Sequence, residues 1–220
     1  MHQNTQKFQF MDFIIWFMIN FQDDFRLYDV KVVKNLLSPY MSKQAIFPSP
    51  VNEFKFAAVM ITIHFTNKGP NVILIKRTNL VKNHAGEISF PGGNFMKDDI
   101  EMLETAIRET REEVGIQIEK EWVIGHLKAE STLSSRYIIH PFVVLIDSIP
   151  RITDTNYEVE KIIDAPLIPL LESRENDIEH EKEFSIAGLP KFTYKNEVIW
   201  GATARILDQL AKPFSQGIHS

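Results

Sequence analysis

Phe90-Pro91-Gly92-Gly93, followed one loop later by Arg108-Glu109-Thr110-Arg111-Glu112-Glu113-Val114-Gly115-Ile116, is the stretch that decides the reading of this 220-residue chain. Glu109, Glu112 and Glu113 stand at i, i+3 and i+4, so on a helix they project from one face as near neighbours. Like charges at that spacing weaken an isolated helix by about 0.2–0.5 kcal/mol per pair. Three carboxylates beside a glycine turn make sense as a magnesium site for phosphate chemistry.

The opposite face gives the helix its reason to form. Ile100, Leu103, Ile107, Thr110 and Val114 recur at three- and four-residue steps, the stripe of a helix lying on a core. The spacing predicts a helix from about Asp99 to Val114, with Asp98 or Asp99 capping its start and Gly115 taking a left-handed turn at its end. Its apolar side faces the fold and its acidic side a cleft.

A glutamate-rich helix is usually only a solvated face. Here the tandem glycines, the Arg-Glu pair, the Glu-Glu pair and the closing glycine occur together and in order. In that order they resemble the Nudix box, with Gly93 as its first glycine, Asp99 near its first glutamate position, then Arg108-Glu109, Glu112-Glu113, Gly115 and Ile116. Two departures are visible: fourteen residues separate Gly93 from Arg108, one more than in the general box, and Thr110 replaces an aliphatic residue. Neither touches the carboxylates.

Upstream, Ile73-Leu74-Ile75-Lys76-Arg77-Thr78 and Val81-Lys82-Asn83-His84-Ala85-Gly86-Glu87-Ile88-Ser89 are similar to the segment that precedes the box in coenzyme A pyrophosphatases, relatives that also carry the extra loop residue. Asn156-Tyr157-Glu158-Val159-Glu160, Ala165-Pro166-Leu167 and Val198 to Leu207 resemble later segments of the same subfamily. The likeness spans roughly Asn52 to Leu210. Lys82, Glu87 and Thr78 depart from the usual Arg, Gln and Ser, which bears on substrate contacts more than on catalysis.

The flanking pattern agrees with an α/β fold. Phe56 to Phe65 and Val72 to Lys76 read as paired strands around an Asn67-Lys68-Gly69-Pro70-Asn71 turn, and Phe142 to Ile146 as a further strand. Val30 to Leu37 reads as a short helix, and Val198 to Leu210 turns helical towards its end. The resemblance implies the Nudix fold, an α/β/α sandwich with a mixed central sheet. The expected layout is a Phe-rich helical extension and linker over residues 1–50, a catalytic domain over 51–212 and a tail over 213–220. The length allows one large domain, and 44% hydrophobic residues suffice for its core.

A net charge of -5 argues against a nonspecific nucleic-acid binder, and the lack of cysteine excludes disulfides and thiolate metal sites. A cytoplasmic location is the default expectation. The apolar run from Phe8 to Phe21, interrupted by Asp12 and Asn20, is too short for a bilayer span and has no basic leader. It reads as a helix packing on the body or a partner rather than a membrane-surface anchor, with Met11 or Met18 as alternative starts. The partner is a small-molecule substrate, with no transmembrane segment and with room for a homodimer.

A diphosphate is densely anionic, so a nucleophile approaches only once cations neutralise its oxygens; Mg2+ or Mn2+ is the expected cofactor. Glu109 and Glu113 are the expected direct metal ligands, with Glu112 as a further ligand or the residue orienting the attacking water. The Gly93 carbonyl can complete the shell, because a residue without a side chain lets a metal come close. Arg108 reads as a structural partner of a glutamate rather than a phosphate contact. Glu158 is the candidate outlying base, weighed against a surface acid in a loop. Arg77 and His84 are candidate contacts to substrate phosphate or nucleotide. The resemblance implies hydrolysis of the diphosphate of coenzyme A or a derivative to 3',5'-ADP and 4'-phosphopantetheine. ADP-ribose, dinucleoside polyphosphates and noncanonical nucleoside triphosphates are alternative substrates, and a non-cleaving nucleotide-binding module is the weaker alternative, because all three box glutamates are present.

Overall fold

A computed structural model of the chain describes residues 28–48, 53–79, 86–149 and 156–217. The Phe-rich run, His84 and the residues around each lie outside that set.

β1 (Lys55–Thr66) is the spine, buried on both faces as its nearly unbroken apolar sequence requires. Along one whole edge it runs parallel to β7 (Tyr137–Ile146), from Lys55↔Tyr137 to His64↔Ile146. Its other edge serves two strands. The last residues pair antiparallel with β2 (Gly69–Arg77), whereas Ala57, Ala58 and Val59 pair with β4 (Gly92–Asn94). β3 (Ile88–Ser89) pairs with the far end of β2, so residues 88–94 form a wedge that holds β1 and β2 apart. β8 (Val159–Pro166) covers the outer edge of β2, and β5 (Val123–His126) and β6 (Glu130–Ser131) pair with β7. The result is a mixed eight-stranded sheet.

The β1–β2 turn is tighter than the composition suggests. Gly69, Pro70 and Asn71 already belong to β2, leaving Asn67 and Lys68 at the bend. Thr66 Oγ1 closes it, accepting from the Lys68 N–H at 3.0 Å and donating to the Gly69 carbonyl at 3.0 Å.

Helices cover both faces. On one side α2 (Met102–Val114) packs Met102, Ala106 and Val114 on Ala58, Met60, Ile73, Ile75, Phe142 and Val144. On the other, α1 (Val30–Leu37), α3 (Leu167–Glu172) and α5 (Gly201–Gly217) bring Val33, Leu37, Leu167, Leu170, Leu207 and Phe214 onto Ile61, Ile63, Leu74 and Val143. A small sheet of β9 (Glu175–Asn176), β10 (Pro190–Tyr194) and β11 (Glu197–Ile199), with α4 (Ile178–Phe184), completes the second layer. This is the expected α/β/α sandwich. Among the described residues no helix is long and apolar enough to cross a membrane.

Helix α2 departs from the expected face and start. Ile100 precedes the helix and is 72% exposed; the buried stripe is Met102, Thr105, Ala106, Thr110, Glu113 and Val114, one residue away from the sequence reading at its beginning. Neither Asp98 nor Asp99 caps it. The Ile46 carbonyl accepts from the Met102 N–H at 3.0 Å, so a first-turn donor is satisfied by backbone from before β1. Gly115 ends the helix with φ 69°, as expected. Val198 and Ile199 belong to β11, which closes a hairpin onto β10, and the stretch turns helical from Gly201, where α5 begins.

Candidate active site

The paired glycines lie in strand β4, not in a turn, and neither has left-handed backbone. Crowding explains them instead. A Cβ on Gly92 would stand 2.3 Å from the Ala58 carbonyl oxygen and 2.7 Å from Val59 Cα, inside the β1–β4 pairing. A Cβ on Gly93 would stand 2.5 Å from the Glu109 carboxyl carbon and Oε1. Gly92 thus lets β4 close on β1, and Gly93 lets α2 lay Glu109 against the strand.

Glu113, one helical turn on from Glu109, is 2% exposed, and its Oε2 accepts from the Gly92 N–H at 2.8 Å. Burial pushes its carboxyl up to about 7; the Gly92 N–H and Arg77 oppose that, while Glu109 and Glu158 add to it. Glu109 is also raised, first by burial, against the pull of the Arg108 hydrogen bond and with the push of Glu112 and Glu158. These acids crowd one another in a dry place. Glu112, on the rim, has a side chain 46% exposed and lies 3.5 Å from Arg108.

Two arginines hold the acids. Arg108 uses its whole fork: Nε and Nη2 donate to the two Asp99 oxygens at 3.2 and 3.0 Å, Nη1 to Glu109 at 2.7 Å, and Nη2 also to the Asn94 carbonyl at 3.1 Å. Asp99 additionally accepts from the Met96 N–H and Thr105 Oγ1, and despite burial these bonds hold its carboxyl below the usual range. The acid at the first glutamate position of the box is therefore committed to Arg108. Arg77 ends β2 beside a register shift and meets two acids from different elements: Nη2 donates to Glu158 Oε2 at 2.7 Å, and Nη1 lies 3.6 Å from Glu113 Oε1. Glu158 is placed by the Asn156 side chain, which accepts from its N–H at 2.9 Å, and its carbonyl accepts from the Thr78 N–H.

Of the residues singled out in the sequence, Gly93, Arg77, Glu109, Glu113 and Glu158 thus come together, Glu112 stands at their edge, and His84 lies outside the described residues. Sequence reasoning missed the Gly92 N–H as the anchor of Glu113 and the pairing of Asp99 with Arg108. A nine-residue spacing between Asp99 and Arg108 carried no signal, because Asp99 lies in the loop before the helix rather than on it. Among the described residues no three acidic or imidazole groups are already drawn around one point to hold a metal. The acid oxygens are turned to the two guanidinium groups and, for Glu113 Oε2, to the Gly92 N–H. The donor set nevertheless suits a hard divalent cation: carboxylate oxygens in a dry cleft, whose mutual repulsion a dication relieves.

Comparison with known proteins gives the same assignment. Residues 55–184 match the NUDIX domain. The chain is 33% identical over 169 residues to the uncharacterized Nudix hydrolase NudL of Pectobacterium atrosepticum, covering 76% of this chain and 86% of that protein. It is 34% identical over 160 residues to NudL of Yersinia pestis, covering 72% and 79%. In fold it is similar to the NUDIX hydrolase from Alicyclobacillus acidocaldarius, with a TM-score of 0.51 at 14% identity over 78% of this chain and 98% of that one. A sandwich cleft in which the helix glutamates face the paired glycines, with this match over most of the chain, makes it a member of the Nudix family and a Nudix hydrolase.

Proposed function

We propose that this hydrolase cleaves the diphosphate of coenzyme A or a derivative, releasing 3',5'-ADP and 4'-phosphopantetheine, with Mg2+ or Mn2+. Nudix hydrolases work with divalent cations. The observation that carries the reading is the meeting of Arg77, Glu113 and Glu158. Three stretches similar to coenzyme A pyrophosphatases, the one ending β2, the box itself and the one opening β8, supply one residue each. Stretches far apart in sequence that converge on the same acids have a shared task there.

Glu109, Glu112, Glu113 and the Gly93 carbonyl are the groups that hold the cation. When bound, it neutralises the diphosphate oxygens so that water can reach phosphorus. Glu113 is kept in place by the Gly92 N–H, and Glu109 by Arg108. Glu158, 33% exposed at the cleft, is the acceptor for the water proton, with Glu112 as the alternative. The water oxygen bonds to phosphorus, the bridging P–O bond breaks, and the leaving phosphate departs with its electron pair. Arg77 and His84 contact the substrate phosphates.

The test is a panel of coenzyme A, acetyl coenzyme A, ADP-ribose, a dinucleoside tetraphosphate and nucleoside triphosphates, each with and without Mg2+ or Mn2+, with products identified. Metal-dependent release of 3',5'-ADP and 4'-phosphopantetheine, at the highest kcat/KM of the panel, is the expected result. No release from coenzyme A beside turnover of another compound refutes the substrate but not the chemistry. Glu113→Gln abolishes turnover in a hydrolase; a variant that keeps full function points to the binding module.

A further inference from the structure

We propose that Arg77 is the stand-in cation of this site: its guanidinium bridges Glu113 and Glu158, and a divalent cation binds by displacing it. The inference rests on the metal-dependent hydrolase reading and not on which diphosphate is the substrate.

The two arginines of the cleft differ in how they are held. Arg108 spends Nε, Nη1 and Nη2 on short bonds to Asp99, Glu109 and Asn94, a geometry that fixes a planar fork. Among the described residues, the Arg77 side chain makes one short bond, to Glu158, and a 3.6 Å approach to Glu113 that is charge attraction rather than a hydrogen bond. Its Nε is buried and has no partner among the described residues. A buried donor left unpaired is a cost this arrangement carries. Arg77 is therefore the cation that can yield, and Arg108 the one that stays.

Charge makes the yielding necessary. Glu113 sits in a dry environment where interactions between charges are weakly screened, so a dication on Glu113 and a guanidinium beside the same carboxylate repel strongly. Either the cation binds weakly or Arg77 turns away. Once released, Arg77 is a free fork beside the place where a phosphate must lie, which joins its two roles in one exchange: paired, it holds the two acids together, and displaced, it meets phosphate.

The exchange is testable without substrate. Mg2+ binding to the full chain, measured calorimetrically at about pH 8.5 to limit proton competition, is compared among wild type, Arg77→Met and Arg77→Lys. Arg77→Met, which keeps the stem and removes the charge, is expected to bind Mg2+ about tenfold more tightly. Arg77→Lys, with a charge but no fork, is expected to fall between the two, and it carries the test if the Met variant does not fold. The 15N resonance of Arg77 Nε, assigned by its loss in Arg77→Lys, is expected to shift along the same Mg2+ titration in wild type. Equal or weaker Mg2+ binding by the variants, an Nε signal that does not move as Mg2+ binds, or no Mg2+ binding by any of the three proteins overturns the proposal. Failure of coenzyme A in the substrate panel leaves all of these readouts unchanged.

Discussion

Replacing each of the adjacent glycines by alanine separates a folding role from a catalytic one. In Gly92→Ala the new methyl stands 2.3 Å from the Ala58 carbonyl oxygen, whereas ordinary C···O contacts begin near about 3.3 Å, so roughly 1 Å must be found between two hydrogen-bonded strands. The Val59 side chain is a third close neighbour, but turning it relieves nothing, since the Ala58 carbonyl oxygen and Val59 Cα are β1 backbone. Overpacking costs typically about 1–3 kcal/mol, and weakened strand bonds add to it, so about 3 kcal/mol is expected. For a domain of this size that is a fall in Tm of roughly 6–12 °C. In Gly93→Ala the methyl meets only the far end of the Glu109 side chain, which can swing aside at under about 1 kcal/mol. Swinging aside moves the carboxylate proposed to hold the cation, and a displacement of about 1 Å at a catalytic group costs about a hundredfold in rate. Thermal unfolding and kcat/KM, measured on both variants, give opposite rankings: Gly92→Ala loses more stability, while Gly93→Ala stays folded and loses activity. Equal loss of Tm in the two, or full activity in folded Gly93→Ala, refutes the steric reasoning.

Other outcomes follow from the same geometry. A double-mutant cycle of Asp99→Ala and Arg108→Met should show a coupling of about 1–3 kcal/mol in urea unfolding, because each single change strands a partly buried charge; additive effects would count against the pairing. Burial, aided by nearby His126, holds the His140 imidazole below its usual pKa, so the folded chain resists a proton that the unfolded chain accepts. Its contribution is present above about pH 6.5 and is lost on acidification; His140→Phe, which keeps a ring stacked on Phe56, should lose stability less steeply than wild type between about pH 7 and pH 5. Chelation should abolish turnover without unfolding the chain, since both core clusters are apolar. Readdition of Mg2+ at about 100 times its Kd should restore activity and add about 2.7 kcal/mol to stability.

What could be read in the sequence was whatever a local period or a family pattern carries. The helix follows from a three- and four-residue spacing, its left-handed end from the glycine at 115, and the β1–β2 pairing and the strand within Tyr137–Ile146 from apolar, β-branched and aromatic runs bounded by turn residues. The misjudged points depend on distant chain. The start of α2 is set by the Ile46 carbonyl, and Asp99 was free to join Arg108 because that carbonyl does the capping. Gly92 and Gly93 look like a turn in sequence, yet their reason for being glycine lies in Ala58 and Glu109, which no local pattern contains. The acids of the site were legible as a set; their arginine partners were only half so, because Arg77 reaches Glu158 across 81 positions.

The wedge between β1 and β2 shows why the site sits where it does. A β1 edge fully paired with β2 would continue the sheet and leave no cleft. Because Ala57 to Val59 pair with β4 instead, the far end of β2 is pushed outward, and Arg77, still paired with Val159 of β8, faces α2 rather than lying in a ladder beside β1. Phe90, 2% exposed, locks that wedge into the core, and the Met60 N–H bonds the Pro91 carbonyl at 2.8 Å. The same wedge carries Gly92 and Gly93, so the step that opens the cleft also delivers the N–H that anchors Glu113 and the bare strand that admits Glu109. Opening the sheet and assembling the acids are one structural event, and the strict steric demand at Gly92 is the point on which both depend.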